Sequence, residues 1–517
     1  MQIIEDRALL FNTRKAGQIT AIIPKSKVID SRDGIDRLLV NWGFDEVQLL
    51  RNIGIKDVPS PIRGQYPWPG MFTPFSHQRT TAEFLTLHPR CFVFNEAGTG
   101  KTSAAAWAAD YLMRQGKVKR VLIICPVSIM ETAWRSDLFK TLMHRTVAIA
   151  QGTRTQRQNV IAGNYEFVIV NFDGVKVVTA ELCAGGFDLV IVDEANAIKN
   201  VQTDRWKCLA ALITPNTRLW MMTGTPASQS PLDAYGLAKL VNPDAVPKYF
   251  GAFRDRVMLK MSQYRWLPRN DAQTIVHQVL QPAIRFTKAE CLDLPDMLYS
   301  TREVPLTPQQ TKYYDAIRKQ MAVIAAGSEV TAVNAASMIN KLLQISQGAV
   351  YTDDRDVVEF DVSNRVSELL DVIAGTTEKV LVFVPYRHTL EMLQDRVINA
   401  GYTTATIHGG VAATKRAEII KQFQTEDDPR ILIMVPQATA HGITLTRANQ
   451  VVWWGPVSST EIYIQANARA HRAGQKNCVT VTHLQGSPVE RRMYTLMQSK
   501  VDLHQALVDL YKQEIDE

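Results

Sequence analysis

The strongest constraint on the fold is an alternation of short apolar runs with segments of helical periodicity. The first series starts at Cys91, and each run ends in polar or turn-forming residues. Its runs are CFVFN, VLIICP, FVIVNF, LVIVDE and LWMMTGTP. The pattern predicts a parallel β-sheet with crossover helices, which places functional residues at the carboxyl ends of the strands.

A second series of the same kind follows a mostly helical stretch between Asn242 and Thr376. Its runs are KVLVFVPY, TTATIHGG, RILIMVP, QVVWWGP and CVTVTHLQ. The chain is therefore predicted to be an α/β protein with two parallel-sheet lobes of similar size. Trp453 and Trp454 lie inside one apolar run, so we expect them to pack within a strand and not to stack on bases.

The first 70 residues have a different character. They predict a hairpin with strands ALLFNT and ITAIIPKSKVI, a helix over GIDRLLVNWG, and a linker rich in Pro and Gly, VPSPIRGQYPWPG. We expect a small α+β accessory domain over residues 1–70. Residues 71–290 then form lobe 1, and residues 291–517 form a linker, lobe 2 and C-terminal helices.

Composition places the chain among globular proteins. Its 517 residues are 46% hydrophobic, enough for about two to four domains. Lys and Arg outnumber Asp and Glu by 58 to 51, a mild excess that is compatible with a polyanionic partner. The six cysteines form no CxxC pair, and no apolar run approaches the roughly 20 residues that span a bilayer. We expect a soluble protein of the cytoplasm, in a bacterial cell or a phage-infected host.

A glycine-rich turn follows the first apolar run, in the stretch FNEAGTGKTSAAA. Gly98 and Gly100 let backbone N–H groups curl around phosphate oxygens, Lys101 can reach the outer phosphates, and the Thr102 hydroxyl can hold Mg²⁺. A strict phosphate-binding loop has glycine where this chain has Asn95, and the alternative is a plain glycine turn with an accidental lysine. The strand–loop–helix context favours phosphate binding.

Two acidic residues, Asp193 and Glu194, end the apolar run LVIVDE. Asp193 would bind Mg²⁺ through water and Glu194 would polarise an attacking water molecule. Acidic residues also cap sheets without any catalytic role. It is the upstream glycine turn that favours a catalytic role for this pair.

The second lobe carries IYIQANARAHRAGQ, in which Gln465, Arg469 and Arg472 are spaced to share one helical face. Such arginines often form a solvated surface. Lobe 1 has no obvious arginine placed for a γ-phosphate, and an arginine supplied from elsewhere can raise the rate by roughly 10³ to 10⁵. We therefore expect these arginines to take part in catalysis.

Taken together, the ordered motifs from about Phe72 to Lys500 resemble superfamily-two nucleic-acid motors, and among them the Swi/Snf-like double-stranded DNA translocases. FTPFSHQ resembles the Q motif, NEAGTGKT resembles DEMGLGKT, and ICPVSIMETAW resembles motif Ia with its closing Trp134. VDEANAIKN resembles DEAHxxKN, and MMTGTPASQSPLDAYGLAKLVNP resembles motif III. RFTKAECLDLPD resembles the linker between the lobes, and QANARAHRAGQ resembles QAxDRAHRxGQ, whose ending separates this branch from DEAD-box RNA helicases.

The chain also departs from the family pattern. Asn196 stands where the family has His, and Asn467 and Ala468 alter the usual order beside the arginines. In VPQATAHGITLTRA, only Ala438, Gly442 and Leu445 keep the expected motif V pattern. The resemblance to the family is therefore weakest in the loop that would sense DNA.

The resemblance implies two RecA-like lobes with an ATP cleft between them, and ATP and Mg²⁺ as cofactors. The implied catalytic residues are Lys101, Asp193, Glu194, Arg469 and Arg472. The implied ATP contacts are Gln78, which would read adenine, with Gly98, Thr99, Gly100, Lys101, Thr102 and Gln465; Thr102 and Asp193 would hold Mg²⁺ partly through water. The implied DNA contacts are Ser128, Asn171, Thr223, Thr225, Tyr386, His408, Gly409 and Thr444. Each of these last residues has a plainer alternative, which is to satisfy local backbone groups.

The biological task is predicted by analogy with fork-remodelling and branch-migration members. We expect a monomeric, ATP-dependent motor that moves on double-stranded DNA, with residues 1–70 recognising branched DNA. The alternatives are a general duplex translocase that clears proteins, a strand-separating helicase, the motor of a defence complex, an RNA-directed helicase, and a non-catalytic DNA clamp that binds ATP.

Overall fold

The structure is a computed structural model that describes residues 1–224, 226–227, 230–261, 266–291, 294–327, 332–351, 357–439 and 443–499. The chain divides into two compact units. The first comprises Met1–Pro226 and Pro231–Cys291, and the second contains the residues that remain. No helix within the described ranges has the length and apolar character that a membrane span needs.

The first unit begins with an antiparallel sheet packed on two helices. Its elements are β1 Gln2–Ile4, β2 Ala8–Thr13, α1 Ala16–Ile22, β3 Lys27–Arg32, β4 Ile35–Asn41 and α2 Phe44–Asn52. The strand order is β1-β2-β4-β3. An α+β character was expected for this segment, and it is observed.

Two local predictions in this segment are wrong. The stretch that includes ITAI forms helix α1, where a hairpin strand was expected, and Ile35–Asn41 forms strand β4, where a helix was expected. The reason for the second error lies in the burial of Leu38, Val40 and Trp42, which alternate with more exposed residues. This period of two is the signature of a strand, and β4 is hydrogen-bonded to β2 on one side and β3 on the other.

The rest of the first unit is a parallel sheet flanked by helices. In chain order its elements are α3 Ile62–Gln65, α4 Ser76–Leu87, β5 Arg90–Val93, α5 Lys101–Arg114, β6 Val121–Cys125, α6 Val127–Ile129, α7 Ser136–Thr141, β7 Val147–Ile149, α8 Arg154–Ala162, β8 Phe167–Asn171, α9 Phe172–Val177, α10 Thr179–Ala184, β9 Leu189–Asp193, α11 Asp204–Leu212, β10 Arg218–Met222, α12 Asp233–Val241, α13 Phe250–Val257, β11 Met258–Lys260, β12 Trp266–Pro268, α14 Ala272–Val279, β13 Ala283–Ile284 and α15 Lys288–Cys291. The strand order is β13-β5-β10-β9-β6-β8-β7, and β11 and β12 form a separate hairpin.

The register of three neighbouring strands fixes where the chemistry lies. Met222 at the end of β10 pairs with Val93 of β5 on one side and with Asp193 of β9 on the other. Adjacent strands lie about 5 Å apart, so the glycine turn after β5 and the acidic pair after β9 emerge about 10 Å apart at one edge. The residue after β10, Thr223, lies between them and donates its N–H to Val93 O (3.0 Å).

The N-terminal segment is joined to the parallel sheet through a buried aspartate. Asp110 of α5 is fully buried, and it accepts hydrogen bonds from Tyr66 Oη (2.7 Å), Arg145 Nε (2.7 Å) and Arg114 Nε (2.9 Å). Burial alone would raise the pKa of Asp110, but these donors hold it below its usual value. Phe44, Ile62 and Tyr66 belong to the same apolar cluster as the sheet. A cut at residue 70 would therefore open the core of this unit.

The second unit is built around another parallel sheet. In chain order its elements are β14 Met297–Glu303, α16 Pro308–Gly327, α17 Ala332–Gln347, β15 Ala349–Tyr351, β16 Val357–Glu359, α18 Ser363–Ala374, β17 Lys379–Phe383, α19 Arg387–Asn399, β18 Thr404–Ile407, α20 Ala413–Thr425, β19 Ile431–Met434, β20 Ala448–Trp453, α21 Thr460–Ala470, β21 Val479–Gln485 and α22 Pro488–Ser499. The strand order is β14-β21-β20-β17-β19-β18. Trp453 and Trp454 are both fully buried, which confirms that they pack in the core.

A histidine in the parallel sheet of the second unit is almost completely buried. His483 of β21 is 1% exposed, its ring stacks on Tyr494 at 4.2 Å, and its Nε2 lies 2.8 Å from the Tyr463 hydroxyl. Burial lowers the pKa of His483 to about 4, because a charged imidazole would lose its hydration there. The folded protein therefore holds this ring neutral at the pH of a cell.

We predict that His483 makes the stability of the second unit pH-dependent. In the unfolded chain the ring binds a proton below about pH 6.5, whereas in the folded chain it binds one only near pH 4. Between these values the unfolded state binds more protons, so stability is full above pH 6.5 and falls as the pH falls toward 4, by about 3 kcal/mol in total. Urea unfolding at about pH 7.5 and pH 5 measures the effect.

The matched comparison uses His483→Gln and the exposed-site control His277→Gln. The control should keep the wild-type loss of stability between the two pH values, and His483→Gln should show a smaller loss. An equal loss in all three proteins would contradict the assignment.

Candidate nucleotide and nucleic-acid sites

The glycine-rich turn is closed by its own lysine. Gly98 and Gly100 have φ values of +90° and +77°, which glycine adopts without steric cost. Lys101 Nζ donates to the carbonyl oxygens of Asn95 (2.8 Å) and Glu96 (3.3 Å). Helix α5 starts at Lys101, so the positive end of its dipole faces the turn. The backbone N–H groups and the helix dipole at this turn favour an anion.

The departure at Asn95 has a structural role. Its side chain is 1% exposed, donates from Nδ2 to Thr81 Oγ1 (2.9 Å) and accepts at Oδ1 from Phe286 N (3.0 Å). The turn is tied to the same segment twice more, since Glu96 N donates to Phe286 O (3.0 Å) and Lys288 N donates to Glu96 Oε2 (3.1 Å). Asn95 therefore connects the turn to helix α4 and to the chain beyond β13.

The expected adenine-reading residue, Gln78, lies on α4 beside the turn. Its Oε1 accepts from Phe75 N (2.9 Å), and its Nε2 lies 3.5 Å from Thr99 O. The neighbouring His77 also contacts Thr99 O, through Nε2 at 2.8 Å. A Cβ on Gly100 would come within 1.9 Å of Gln78 Nε2, so glycine is needed for this close approach.

The acidic pair is fixed by a tryptophan. Asp193 is 8% exposed, and its Oδ2 accepts from Trp134 Nε1 (3.0 Å) while its Oδ1 accepts from Glu194 N (3.0 Å). Trp134 is fully buried in the π-helical turn Met130–Arg135. Burial raises the pKa of Asp193, and the positive charge of Lys101 together with these two donors acts in the opposite direction. The influence of Lys101 on Asp193 links the two motifs electrostatically.

The oxygen donors present here fit a hard divalent cation. Each Asp193 oxygen retains acceptor capacity, and Thr102 in the first turn of α5 offers a hydroxyl. Across the described part of the chain, no group of three or more His, Cys, Asp or Glu is arranged to hold a metal. Any Mg²⁺ at this edge would therefore depend on Thr102, Asp193, water and the phosphates of a bound nucleotide.

Glu194, the second acidic residue, has left-handed backbone angles of φ 56° and ψ 53°. Such angles are costly for a residue with a side chain, and they cluster at functional sites. Asn196, where the family has His, follows in the 3₁₀ turn Ala195–Ile198.

In the second unit, Gln465 and Arg469 lie on α21 and are 8% and 6% exposed. Gln465 Nε2 donates to Glu461 Oε1 (3.3 Å). The expectation of one shared helical face is wrong for Arg472, because α21 ends at Ala470. Instead, Arg472 Nη1 donates to Ile443 O (3.1 Å), and Leu445 N donates to Arg469 O (2.9 Å). Both arginines thus bond the chain on either side of Thr444.

The residues around these arginines explain the local sequence. Gln475 Nε2 donates to the carbonyl oxygens of Ala470, Thr446 and Ala448, which caps α21 and ties it to the start of β20. Asn467, one of the departures, accepts from Trp453 Nε1 (2.9 Å). The end of the AHRAGQ motif is therefore a helix cap as well as a family signature.

A cavity of about 600 Å³ opens at the carboxyl ends of three neighbouring strands, β17, β19 and β18. It brings together three of the predicted DNA contacts, Tyr386, His408 and Gly409. Sequence reasoning did not find Arg387 and Arg416, which also line this cavity. Both lie in helices, and an isolated arginine in a helix has no distinctive spacing, so no signal in the sequence marks them.

The other predicted DNA contacts are less exposed or lie elsewhere. Ser128 is half-buried in α6, just after β6. Asn171 ends β8, is buried, and accepts from Arg157 Nη1 (3.1 Å). Thr223 is buried between β5 and β9, and Thr444 is half-buried before β20. Thr225 lies outside the described residues.

Comparison with known proteins agrees with this arrangement of motifs. The SNF2-related domain matches residues 72–350, more than half of the chain. This chain belongs to the SNF2-related family. A helicase conserved C-terminal domain matches residues 363–474.

Individual relatives are distant. An uncharacterized ATP-dependent helicase of Mycoplasma genitalium, MG018, is 25% identical over 79% of this chain and 39% of its own length. The chromodomain-helicase-DNA-binding protein 1-like of Danio rerio is 25% identical over 81% of this chain and 42% of its own. The Sulfolobus solfataricus SWI2/SNF2 ATPase core in complex with double-stranded DNA is 19% identical, covers 86% of this chain and 94% of its own, and has a TM-score of 0.43. The chain spans less than half the length of the two curated relatives.

We predict that Gly100→Ala lowers nucleotide affinity about tenfold, which corresponds to about 1.4 kcal/mol. The new Cβ would strain a left-handed backbone and displace the Gln78 amide from its place beside the turn. Equilibrium binding of a fluorescent ATP analogue measures the change.

Gly116→Ala is the matched control for this substitution. Gly116 has a similar φ of +67° but open space around its missing Cβ. This variant should lose some stability and keep wild-type affinity. Equal loss of affinity in both variants would assign the effect to general strain and not to the contact with Gln78.

Proposed function

We propose that this chain is a DNA-dependent ATPase that hydrolyses ATP with Mg²⁺ and uses the cycle to move on double-stranded DNA. Its preferred task is remodelling or branch migration of replication and recombination intermediates. The observation that carries the ATPase part is the register Val93–Met222–Asp193, which aligns the glycine turn and the acidic pair at one sheet edge. Membership of the SNF2-related family supports the DNA-directed part.

In this proposal each residue of the first unit has a defined task. The turn from Gly98 to Thr102 binds the phosphates through backbone N–H groups and Lys101. Asp193 and Thr102 hold Mg²⁺, which would neutralise charge on the transferring phosphoryl group. Glu194 orients the attacking water and accepts its proton, and Gln78 contacts the adenine.

The second unit supplies the remaining roles. Arg469 and Arg472 are proposed to stabilise the charge that develops on the phosphoryl group, as the family resemblance implies. The cavity beside β17, β18 and β19 is proposed to hold a DNA backbone, with His408 and Gly409 near one phosphate. Arg387 and Arg416 line this cavity and would contact an anionic ligand, Arg387 in competition with its exposed ion pair to Glu391 (2.9 Å). Contacts of this kind make affinity fall steeply with salt.

The defining experiment is steady-state ATP hydrolysis by the wild type and by Glu194→Gln. Each protein is assayed without nucleic acid and with single-stranded DNA, duplex DNA, a four-way junction and duplex RNA. We expect duplex DNA to stimulate the wild type and junctions to stimulate it further. Glu194→Gln should bind ATP but turn over roughly 10² to 10⁴ times more slowly, because it cannot accept the proton from water.

The pattern of stimulation separates the alternatives. Equal stimulation by plain duplex and by junctions would favour a general translocase. Stimulation by duplex RNA alone would point to an RNA-directed enzyme. ATP binding and DNA binding without any hydrolysis would identify a clamp and contradict the proposed enzyme.

We predict that Trp134→Phe raises the Mg²⁺ concentration for half-maximal hydrolysis by about tenfold or more, the usual cost of losing a group that orients a metal ligand. The indole fixes Asp193 by its 3.0 Å hydrogen bond. A titration of Mg²⁺ at saturating ATP measures the shift.

Trp220→Phe is the matched control, since Trp220 is equally buried and donates to His88 O, away from the acidic pair. It should leave the Mg²⁺ dependence unchanged. A normal Mg²⁺ titration in Trp134→Phe would remove this residue from the proposed site.

A further inference from the structure

One basic surface of the first unit lies outside the helicase motifs. Between Pro247 and Pro268 the sequence has five basic residues, Lys248, Arg254, Arg256, Lys260 and Arg265, and one acidic residue, Asp255. The described part of this stretch forms helix α13 and the β11–β12 hairpin. We call α13, its preceding residues Lys248 and Tyr249, and this hairpin the basic platform.

The indole ring of Trp266 contacts one cation of the basic platform, and Trp266 lies opposite a second cation in the hairpin register. The guanidinium carbon of Arg254 lies 4.1 Å from the centroid of the Trp266 ring. The hairpin register pairs Lys260 with Trp266, so these two side chains extend from the same face of the hairpin. Asp255 accepts from Arg254 Nε at 3.2 Å, but this pair is exposed and contributes little. Arg254 and Lys260 are thus held near each other with little local compensation.

A second part of the surface lies along α13. Tyr249 immediately precedes α13, and Arg256 lies exposed in its last turn. Tyr249 is 69% exposed, and Lys248 Nζ lies 5.5 Å from its ring centroid. Among the residues that the structure describes, no carboxylate forms an ion pair with Lys248, Arg256 or Lys260. Leu259 is also exposed, on the face of the hairpin opposite Lys260.

The basic platform packs against helix α12 of the same unit. Tyr235 of α12 lies under it, with its hydroxyl 2.9 Å from Lys248 O and its ring 5.4 Å from the rings of Phe250 and Phe253. The first turn of α12 is in turn bonded to the loop after the acidic pair, since Lys199 Nζ lies 3.0 Å from Asp233 Oδ2. The basic platform is therefore anchored next to the helix that meets the Asp193–Glu194 loop.

We propose that the basic platform binds the phosphate backbone of double-stranded DNA, as a contact outside the helicase motifs. A duplex presents a negative charge about every 1.7 Å along its axis, which matches a surface with several uncompensated cations. The described part of the basic platform carries four cations and one carboxylate, Asp255, so its charge complements the phosphates of a duplex. The proposal rests on the proposed function for the identity of the partner.

The test compares the salt dependence of duplex binding for three forms of the full chain without nucleotide. These are the wild type, Arg256→Ala/Lys260→Ala, and the control Lys119→Ala/Lys207→Ala. The control removes the same charge from two exposed positions of the same unit that lie outside the basic platform. Fluorescence anisotropy of a labelled blunt duplex, from about 50 to 300 mM salt, gives the slope of log affinity against log salt.

We expect the slope of the basic-platform variant to be smaller by about 2, roughly one for each lost phosphate contact, with the control close to the wild type. ATP hydrolysis in the absence of DNA should be the same in all three proteins, which shows that the variants are folded. An unchanged slope in the basic-platform variant, or an equal fall in the control, would overturn the proposal.

The same experiment distinguishes failure of this proposal from failure of the proposed function. The slope is measured by binding alone, whereas the proposed function requires wild-type hydrolysis to be stimulated by DNA. A smaller slope with unstimulated hydrolysis would support the basic platform and contradict the motor. Absence of duplex binding by the wild type would contradict both.

Discussion

The first unit depends on the pairing of three parallel strands, β5, β10 and β9. Backbone hydrogen bonds align Val93, Met222 and Asp193 side by side, and the strands that carry them are buried. The loops that follow must then leave the sheet at one edge, because parallel strands all end on the same side. A slip of this register by one residue would move Asp193 to the opposite face of the sheet. The backbone pairing thus places the glycine turn beside the acidic pair. The side chains of Trp134 and Asn95 then fix the acidic pair and the turn by hydrogen bonds.

The parallel sheets could be predicted from the sequence because most of their central strands are buried apolar runs. All ten runs from CFVFN to CVTVTHLQ contain strands of the two sheets. The N-terminal segment was harder, because its strands mix exposed polar and buried apolar residues. The run at Ile35–Asn41 mixes charged and apolar residues, so its period of two is visible only over Leu38, Val40 and Trp42. Local patterns of that length fit a helix equally well.

In the candidate site, too, some residues could be predicted from the sequence and others could not. Gly98, Lys101 and Asp193 were found because fixed spacing and chemistry mark them in the chain. Trp134 was quoted only as the end of a motif, and its bond to Asp193 depends on a contact across 59 residues of sequence. Arg472 was assigned to a helical face by spacing, but Gln475 caps α21 two residues earlier, at Ala470. Side chains that act on distant backbone atoms leave no periodic signal in a single sequence.

Hydrogen bonds to the segment around Phe286 couple the glycine turn to the end of the first unit. Asn95 and Glu96 hold the backbone of Phe286 and Lys288 through three hydrogen bonds of about 3 Å. Lys288 lies three residues before Cys291, where this part of the first unit ends. A displacement of about 1 Å in the segment would stretch these bonds beyond useful length. The shape of the glycine turn and the position of the Phe286–Lys288 segment are therefore mechanically coupled.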